Sequence, residues 1–299
     1  MSTLAPDTPP DQALRQIVAE CQGDLVRHRA TVLASRRSAG IHQARVALRR
    51  LRAALTLFRG AVGADEARLV RAMAAEAKWL AGECAPARDL HVFLTETVEE
   101  VPPEVKRIAA RLAKTHLERA RTALSGARYN AFEGQLTAFV QEAPPARAGR
   151  LDDFGRAVLE KRHAQADRRG RHLAGLDRRH LHKLRIAIKK LRYAATFLQP
   201  AFAAAPFDSK AAKAYIEATV RLQGALGTLN DRAVAAQMLD DIAVAARPSE
   251  DVARPLRKLA KQAGAGEKRR RHKLERAWTR FSKAERFWRA RAKQSSRTK

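Results

Sequence analysis

Residues 41–60 read IHQARVALRRLRAALTLFRG, and residues 181–200 read LHKLRIAIKKLRYAATFLQP. At about 100° per residue, the first stretch gathers Ile41, Ala44, Leu48, Leu51, Leu55 and Phe58 into one apolar stripe. The second does the same with Leu181, Leu184, Ile188, Leu191 and Leu198. Stripes of this kind must pack against other helices, so both stretches are predicted to be amphipathic helices of a packed core. A separate column runs beside each stripe at spacings of three, four and three: His42, Arg45, Arg49 and Arg52, then His182, Arg185, Lys189 and Arg192. No acidic residue lies between Ile41 and Phe58 or between Leu181 and Gln199. Like charges at these spacings repel by a few tenths of a kcal/mol per pair, and a merely solvated face interleaves Glu with Lys at lower cost. An anionic ligand is the more economical explanation.

The two stretches align with each other at an offset of 140. His42/His182, Arg45/Arg185, Leu51/Leu191, Arg52/Arg192 and Thr56/Thr196 are identical, and the pair Arg49-Arg50 becomes Lys189-Lys190. The match resumes at an offset of 142, with Arg68 and Arg71 opposite Lys210 and Lys213. Leu80 and Gly82 then fall opposite Leu222 and Gly224, and Asp89 opposite Asp231. Two ordered matches at nearly one offset point to internal duplication. The third helix of each half adds Arg68, Arg71 and Lys78, matched in part by Lys210, Lys213 and Arg221. Were the halves packed about a pseudo-two-fold axis, both sets would line one groove or channel. Arg50 and Lys190, about 100° further round their helices, would serve its rim.

Outward from these segments, Ala, Leu, Arg, Lys, Glu and Gln fill most of the chain and favour helix. Prolines and glycines fall between the helical runs, at Pro102-Pro103, Pro144-Pro145, Pro200 to Pro206, Pro248 and Gly264/Gly266. The predicted class is all-α. Helices are expected near 11–37, 41–59, 65–82, 88–99, 104–125 and 129–142, then near 151–173, 178–199, 208–226, 231–246, 250–280 and 284–293. A Pro/Ala/Gly linker at 143–149 separates a first half, 10–143, from a second, 150–293, with a basic tail at 294–299.

Fifty-nine Lys and Arg face 31 Asp and Glu, a formal net charge of +28. That surplus opposes compaction and calls for a partner of opposite sign: nucleic acid, an anionic membrane surface or polyphosphate. Apolar residues at 45% argue against a disordered chain. Two cysteines, Cys21 and Cys84, are too few for a disulfide framework and read as buried or incidental thiols. The N-terminal residues carry no signal-peptide pattern, and no stretch reaches the ~18 apolar residues of a spanning helix. A cytoplasmic protein without membrane partners is expected.

Non-specific nucleic-acid binding at low salt is the first rival reading. Aromatics are only 5% of residues and none interleaves the first column, so stacking platforms are poor. The basic run Lys268 to Lys273 (KRRRHK) and the tail from Arg289 to Lys299 are its best carriers. A metal site at His42 and His182 is disfavoured because the neighbouring Arg and Lys repel cations and no acid or thiol sits at ligand spacing. Asp89 and Asp231, each after a glycine-containing turn, are expected to open helices as caps or first-turn residues. Trp79, Trp278 and Trp288 are expected to pack in the core or at bundle ends. No nucleophile-base pair, phosphate-cradling glycine loop or zinc cluster is visible, so neither an enzyme nor a cofactor is expected.

The string His42-x-x-Arg45-Val46-x-x-Arg49-Arg50-Leu51-Arg52-x-x-Leu55 and its echo at 182–195 resemble the CHAD family (conserved histidine α-helical domain). The Leu-x-Gly…Arg88-Asp89 and Leu-x-Gly…Asn230-Asp231 segments, and Glu285-Arg286-Phe287-Trp288 near the end, extend the resemblance from about residue 10 to 293. It implies two four-helix-type bundles related by pseudo-two-fold symmetry, with a basic groove or pore that binds inorganic polyphosphate. It also implies association with polyphosphate granules and with proteins of polyphosphate metabolism. The binding residues so implied are the two columns with Arg50, Arg68, Arg71, Lys78, Lys190, Lys210, Lys213 and Arg221. The second repeat departs by carrying Lys189-Lys190; Lys binds phosphate as a point charge where Arg makes a bidentate fork, which changes geometry more than activity. The acidic ExExK segment of a fused triphosphate-processing domain is absent from this sequence. A chain with six to ten phosphate contacts should lose affinity with log[salt] at a slope of roughly −4 to −7. Its histidines, held protonated beside a polyanion, should strengthen binding as pH falls through about 6.5.

Overall fold

In the computed structural model, residues 4–34, 39–94, 101–142, 144–145, 147–203, 207–246, 250–264 and 266–289 are described, with backbone alone at 39, 230–234, 250–251 and 262–264. Among them all regular structure is helical: α1 (Pro10–Ala34), α2 (Ala39–Leu57), α3 (Ala64–Glu83), α4 (Ala85–Val92), α5 (Pro103–Ser125), α6 (Ala127–Gln141), α7 (Leu151–Gly170), α8 (Arg178–Leu198), α9 (Ser209–Ala246), α10 (Glu250–Gly264) and α11 (Glu267–Lys283). Short 3-10 turns sit at Leu173–Gly175 and Gln199–Phe202.

Local chemistry sets many of the boundaries. Asp177 caps α8, its carboxylate accepting the His180 N–H at 2.8 Å. Asp208 does the same for α9, accepting from Lys210 N at 2.7 Å and Ala211 N at 3.3 Å. Pro103 starts α5 where its missing N–H costs nothing. Gly266, at φ 76°, separates α10 from α11 in a left-handed conformation that a side chain resists. The single helix expected over 250–280 is therefore two.

Three further expectations change. The helices expected at 208–226 and 231–246 form one continuous α9. Gly224 and Gly227 cost propensity but sit in ordinary helical backbone, and buried Leu222, Ala225 and Leu226 before 228, with Ala235, Met238 and Leu239 after it, hold the helix on both sides. No helix spans 284–289, where only Phe287 and Trp288 form a turn, while 290–293 lie outside the described residues. Phe287 and Trp288 are both buried there, and helical geometry sets adjacent side chains about 100° apart. The helix expected at 88–99 begins instead at Ala85, initiated by Pro86, and gives way after Val92; 95–100 lie outside the described residues.

The chain divides into two compact units, one of Met1–Ala13, Ala146–Gly227 and Arg271–Lys299, the other of Leu14–Pro145 and Thr228–Arg270. In the second of these, the α2 stripe Ile41, Ala44, Leu48, Leu51, Leu55 and Phe58 is fully buried, as its spacing requires. Leu14, Val18, Cys21 and Leu25 of α1, Val70, Met73 and Ala77 of α3, and Phe132 and Leu136 of α6 are buried in the same unit. A further cluster joins Leu90, Phe93, Val105 and Ile108 to Leu239, Ile242, Leu256 and Leu259. In the other unit, Leu184, Ile188, Leu191 and Leu198 of α8 are buried with Leu159 of α7 and Tyr215 of α9. Trp278 packs where a Cβ on Gly170 would overlap its ring, so any side chain at that position would displace the ring. Trp288 is wholly buried, while Trp278 and Trp79 are half-buried, the latter under the Arg128 guanidinium at 3.8 Å.

Candidate functional site

Each cationic column stands on one helix and is described in its own unit. On α2, burial of the stripe leaves His42, Arg45, Arg49 and Arg52 half-buried along one flank. Arg45 is the most constrained. Its Nη1 donates to the Ala81 carbonyl at 3.1 Å, and Nη2 lies 3.6 Å from the Asp89 carboxylate. Burial pushes its pKa below the usual guanidinium value and Asp89 opposes that shift; an arginine so placed stays cationic at neutral pH. Arg49 differs: its Nε is buried and has no hydrogen-bond acceptor among the described residues.

Asp89 therefore does not open a helix. It sits in the second turn of α4 and ion-pairs with Arg45, a tertiary role that its position after Gly82 gave no sign of. Asp231 lies inside α9, also not at a start, and its side chain is outside the described set. Arg50 points away from the column toward α1, with Nη1 3.2 Å from Asp24 and Nη2 3.6 Å from Glu20. On α3, Arg71 and Lys78 are exposed, and Arg68 is exposed with Asp65 at 3.8 Å.

On α8, His182 and Lys190 are exposed and Arg185, Lys189 and Arg192 half-buried. Arg185 repeats the feature of Arg49, a buried Nε with no acceptor among the described residues. The Arg192 Nε donates to Gln223 of α9 at 2.8 Å and its guanidinium lies 4.5 Å from the Tyr193 ring. Lys210 and Lys213 are exposed along α9, and Arg221, also exposed, has Glu217 at 3.9 Å. The two columns thus share a pattern with exchanged members. In one the constrained arginine comes first and the orphaned Nε second; in the other the orphan stands at Arg185 and a lysine follows.

Sequence reasoning missed Gln223, which fixes Arg192, and Arg162 of α7. Arg162 is half-buried, its pKa lowered by burial alone, with no acidic partner among the described residues. Its spacing from Leu159 and Ala166 marks the edge of the buried stripe of α7, a signal hidden because α7 lacks a repeated motif. The cysteines are buried and free, and burial raises Cys21 to about 12 and Cys84 to about 11. Among the described residues no three His, Cys, Asp or Glu side chains group closely enough to hold a metal ion. No helix among them is long and apolar enough to cross a membrane.

The chain is similar to the crystal structure of the CHAD domain from the plant Ricinus communis, at 25% identity and a TM-score of 0.80 over 95% of each chain. It also shares its fold with PptA from Streptomyces chartreusis, at 17% identity and a TM-score of 0.60, covering 93% of this chain and 99% of that one. No protein with a curated description matches the sequence. The CHAD domain model matches residues 16–240, and on that match the chain belongs to the CHAD family.

Proposed function

We propose that this protein binds inorganic polyphosphate without converting it, through the columns His42, Arg45, Arg49, Arg52 and His182, Arg185, Lys189, Arg192. The observation that carries this reading is the pair of orphaned donors. Arg49 and Arg185 each bury an Nε–H that finds no acceptor among the described residues. Leaving a buried charged donor unsatisfied costs about 1–3 kcal/mol or more, a cost that a phosphate oxygen seated in the column removes. Family membership supports the same ligand, as does the formal charge of +28.

Polyphosphate carries about one charge per phosphate and no base, so contacts to phosphate oxygens with release of counterions are sufficient for affinity. The carboxylates near these cations suit charge balance better than proton transfer: Asp89 is held by Arg45 of the first column and Glu217 by Arg221 of α9. The exposed cations Arg71 and Lys78 would add to the first column's unit, and Lys210 and Lys213 to the second's. Arg50, already met by Glu20 and Asp24, would contribute least. Residence on cytoplasmic polyphosphate granules, beside proteins that make or degrade the polymer, follows from this reading.

The test is a titration of labelled long-chain polyphosphate at roughly 150 mM salt, with duplex DNA and ATP as competitors. Arg49→Ala and Arg185→Ala should each weaken binding about tenfold or more, at unchanged helicity. Unchanged binding in both variants, or equal competition by DNA on a mass basis, overturns the proposal.

A further inference from the structure

Helix α11 carries a third file of cations, composed of residues found in neither column. Lys273, Arg276, Arg280 and Lys283 follow one another at spacings of three, four and three, so they share one face over about 15 Å of helix. All four are exposed. None has an acidic partner among the described residues; the nearby Glu275 lies instead 4.0 Å from His272. The orientation of the file is fixed, because Leu274, Ala277 and Phe281 on another face of α11 are buried.

An ordinary solvated helix of this protein looks different. On α5 three of the exposed cations have acidic partners, Arg107 lying 3.2 Å from Glu104, Lys114 4.0 Å from Glu118, and Arg119 pairing with Glu83. The helix dipole accounts for Arg280 and Lys283, which stand in the last turn of α11. It does not account for Lys273 and Arg276, further back along the same face. Repulsion along the file is therefore left uncompensated where a few glutamates would remove it.

We propose that this face of α11 binds double-stranded nucleic acid through its phosphate backbone. A membrane surface fits less well. Interfacial helices insert an apolar face, and the apolar residues of α11 are already packed inside the protein. Single strands fit less well too, because they are gripped by exposed aromatic platforms and Trp278 is turned onto Phe281, with ring centroids 5.5 Å apart. A duplex asks only for cations held in a line on a stiff support, and each phosphate neutralised releases counterions. No base contact is implied, so binding should be indifferent to sequence.

The experiment uses the full chain with four titrants: a labelled duplex DNA of about two helical turns, single-stranded DNA of the same length, long-chain polyphosphate, and vesicles containing anionic lipid. One variant replaces Lys273, Arg276, Arg280 and Lys283 by Gln; a second carries Arg49→Ala and Arg185→Ala. With unchanged far-UV helicity, the Gln variant should lose duplex affinity about tenfold or more, with a salt slope shallower by roughly three, while polyphosphate affinity stays as in the parent. The second variant should keep its duplex affinity. Duplex binding unchanged in affinity and slope in the Gln variant overturns the inference. So does an equal loss of polyphosphate, or binding to single strands or anionic vesicles that exceeds duplex binding and shows the same dependence on α11. Failure of the parent to bind polyphosphate, with α11-dependent duplex binding intact, would defeat the polyphosphate reading and leave this one standing.

Discussion

Replacing His163 by Gln should flatten the acid dependence of stability in the unit that contains α7. His163 is 6% exposed, and its Nδ1 lies 2.8 Å from the Tyr215 hydroxyl, where a neutral imidazole can accept. Phe281 and Trp288 close round it at ring-centroid distances of 5.3 and 5.9 Å. Burial first, then the charge of Arg286, lowers its pKa from 6.5 to about 4, against smaller opposing effects of Glu160 and Asp167. Between those values the unfolded chain takes up a proton that the folded protein refuses. Stability is therefore complete above the unfolded value and is lost as pH falls toward the folded one. The loss comes to about 2 kcal/mol between about pH 7.5 and about pH 5, and about 3 kcal/mol by pH 4. Urea unfolding followed by tryptophan emission reads this directly, since Trp288 is fully buried beside the histidine. With a urea slope of about 3 kcal/mol per molar, the parent midpoint should fall by roughly 0.7 M over the first of those intervals. Gln can still accept from Tyr215 but cannot titrate, so its midpoint should stay level there, whatever its absolute value. A variant that keeps the parental slope would refute the assignment and place the titrating group elsewhere.

Three further outcomes are expected. Asp89→Asn removes a carboxylate from beside Arg45 and should raise polyphosphate affinity two- to fivefold, about 0.5–1 kcal/mol, in the binding titration; weaker binding would mean that holding Arg45 in place matters more than the local charge. Cys21 and Cys84 should resist a thiol reagent at about pH 8 in the native protein and react fully in denaturant, because burial raises both pKa values and blocks access. Gly170→Ala should cost about 1–3 kcal/mol by thermal or urea unfolding, since the added methyl overlaps the Trp278 ring and Trp278 has to move.

Helix periodicity carried most of what was legible in the sequence. The apolar stripes of α2 and α8 are buried as their spacing required, because an alternation of three and four residues leaves one face to bury. Continuity was harder to read. The break expected between 226 and 231 is absent, because a glycine such as Gly227 weakens a helix by only about 1 kcal/mol and burial on both sides of it outweighs that. The tertiary partners of the cations were not legible at all. Arg50 and Arg49 are adjacent and chemically alike, but Glu20 and Asp24 of α1 meet one while the Nε of the other is buried without an acceptor among the described residues. Nothing within α2 encodes that difference; it depends on which side of the helix a neighbour covers. Asp89 shows the same limit, its likeness to a cap concealing an ion pair with a residue more than forty positions earlier in the chain.

The discontinuous composition of the units bears on how the protein is made. Leu90, Phe93, Val105 and Ile108 of α4, α5 and the turn after α4 are covered by Leu239, Ile242, Leu256 and Leu259. Those covering residues are synthesised more than a hundred positions later. At ordinary elongation rates the nascent chain carries that apolar surface uncovered for on the order of ten seconds. Vectorial folding of the segment 14–145 on the ribosome therefore ends with its second cluster incomplete, and ribosome-bound chaperones have a defined target in α4 and α5 until α9 and α10 emerge.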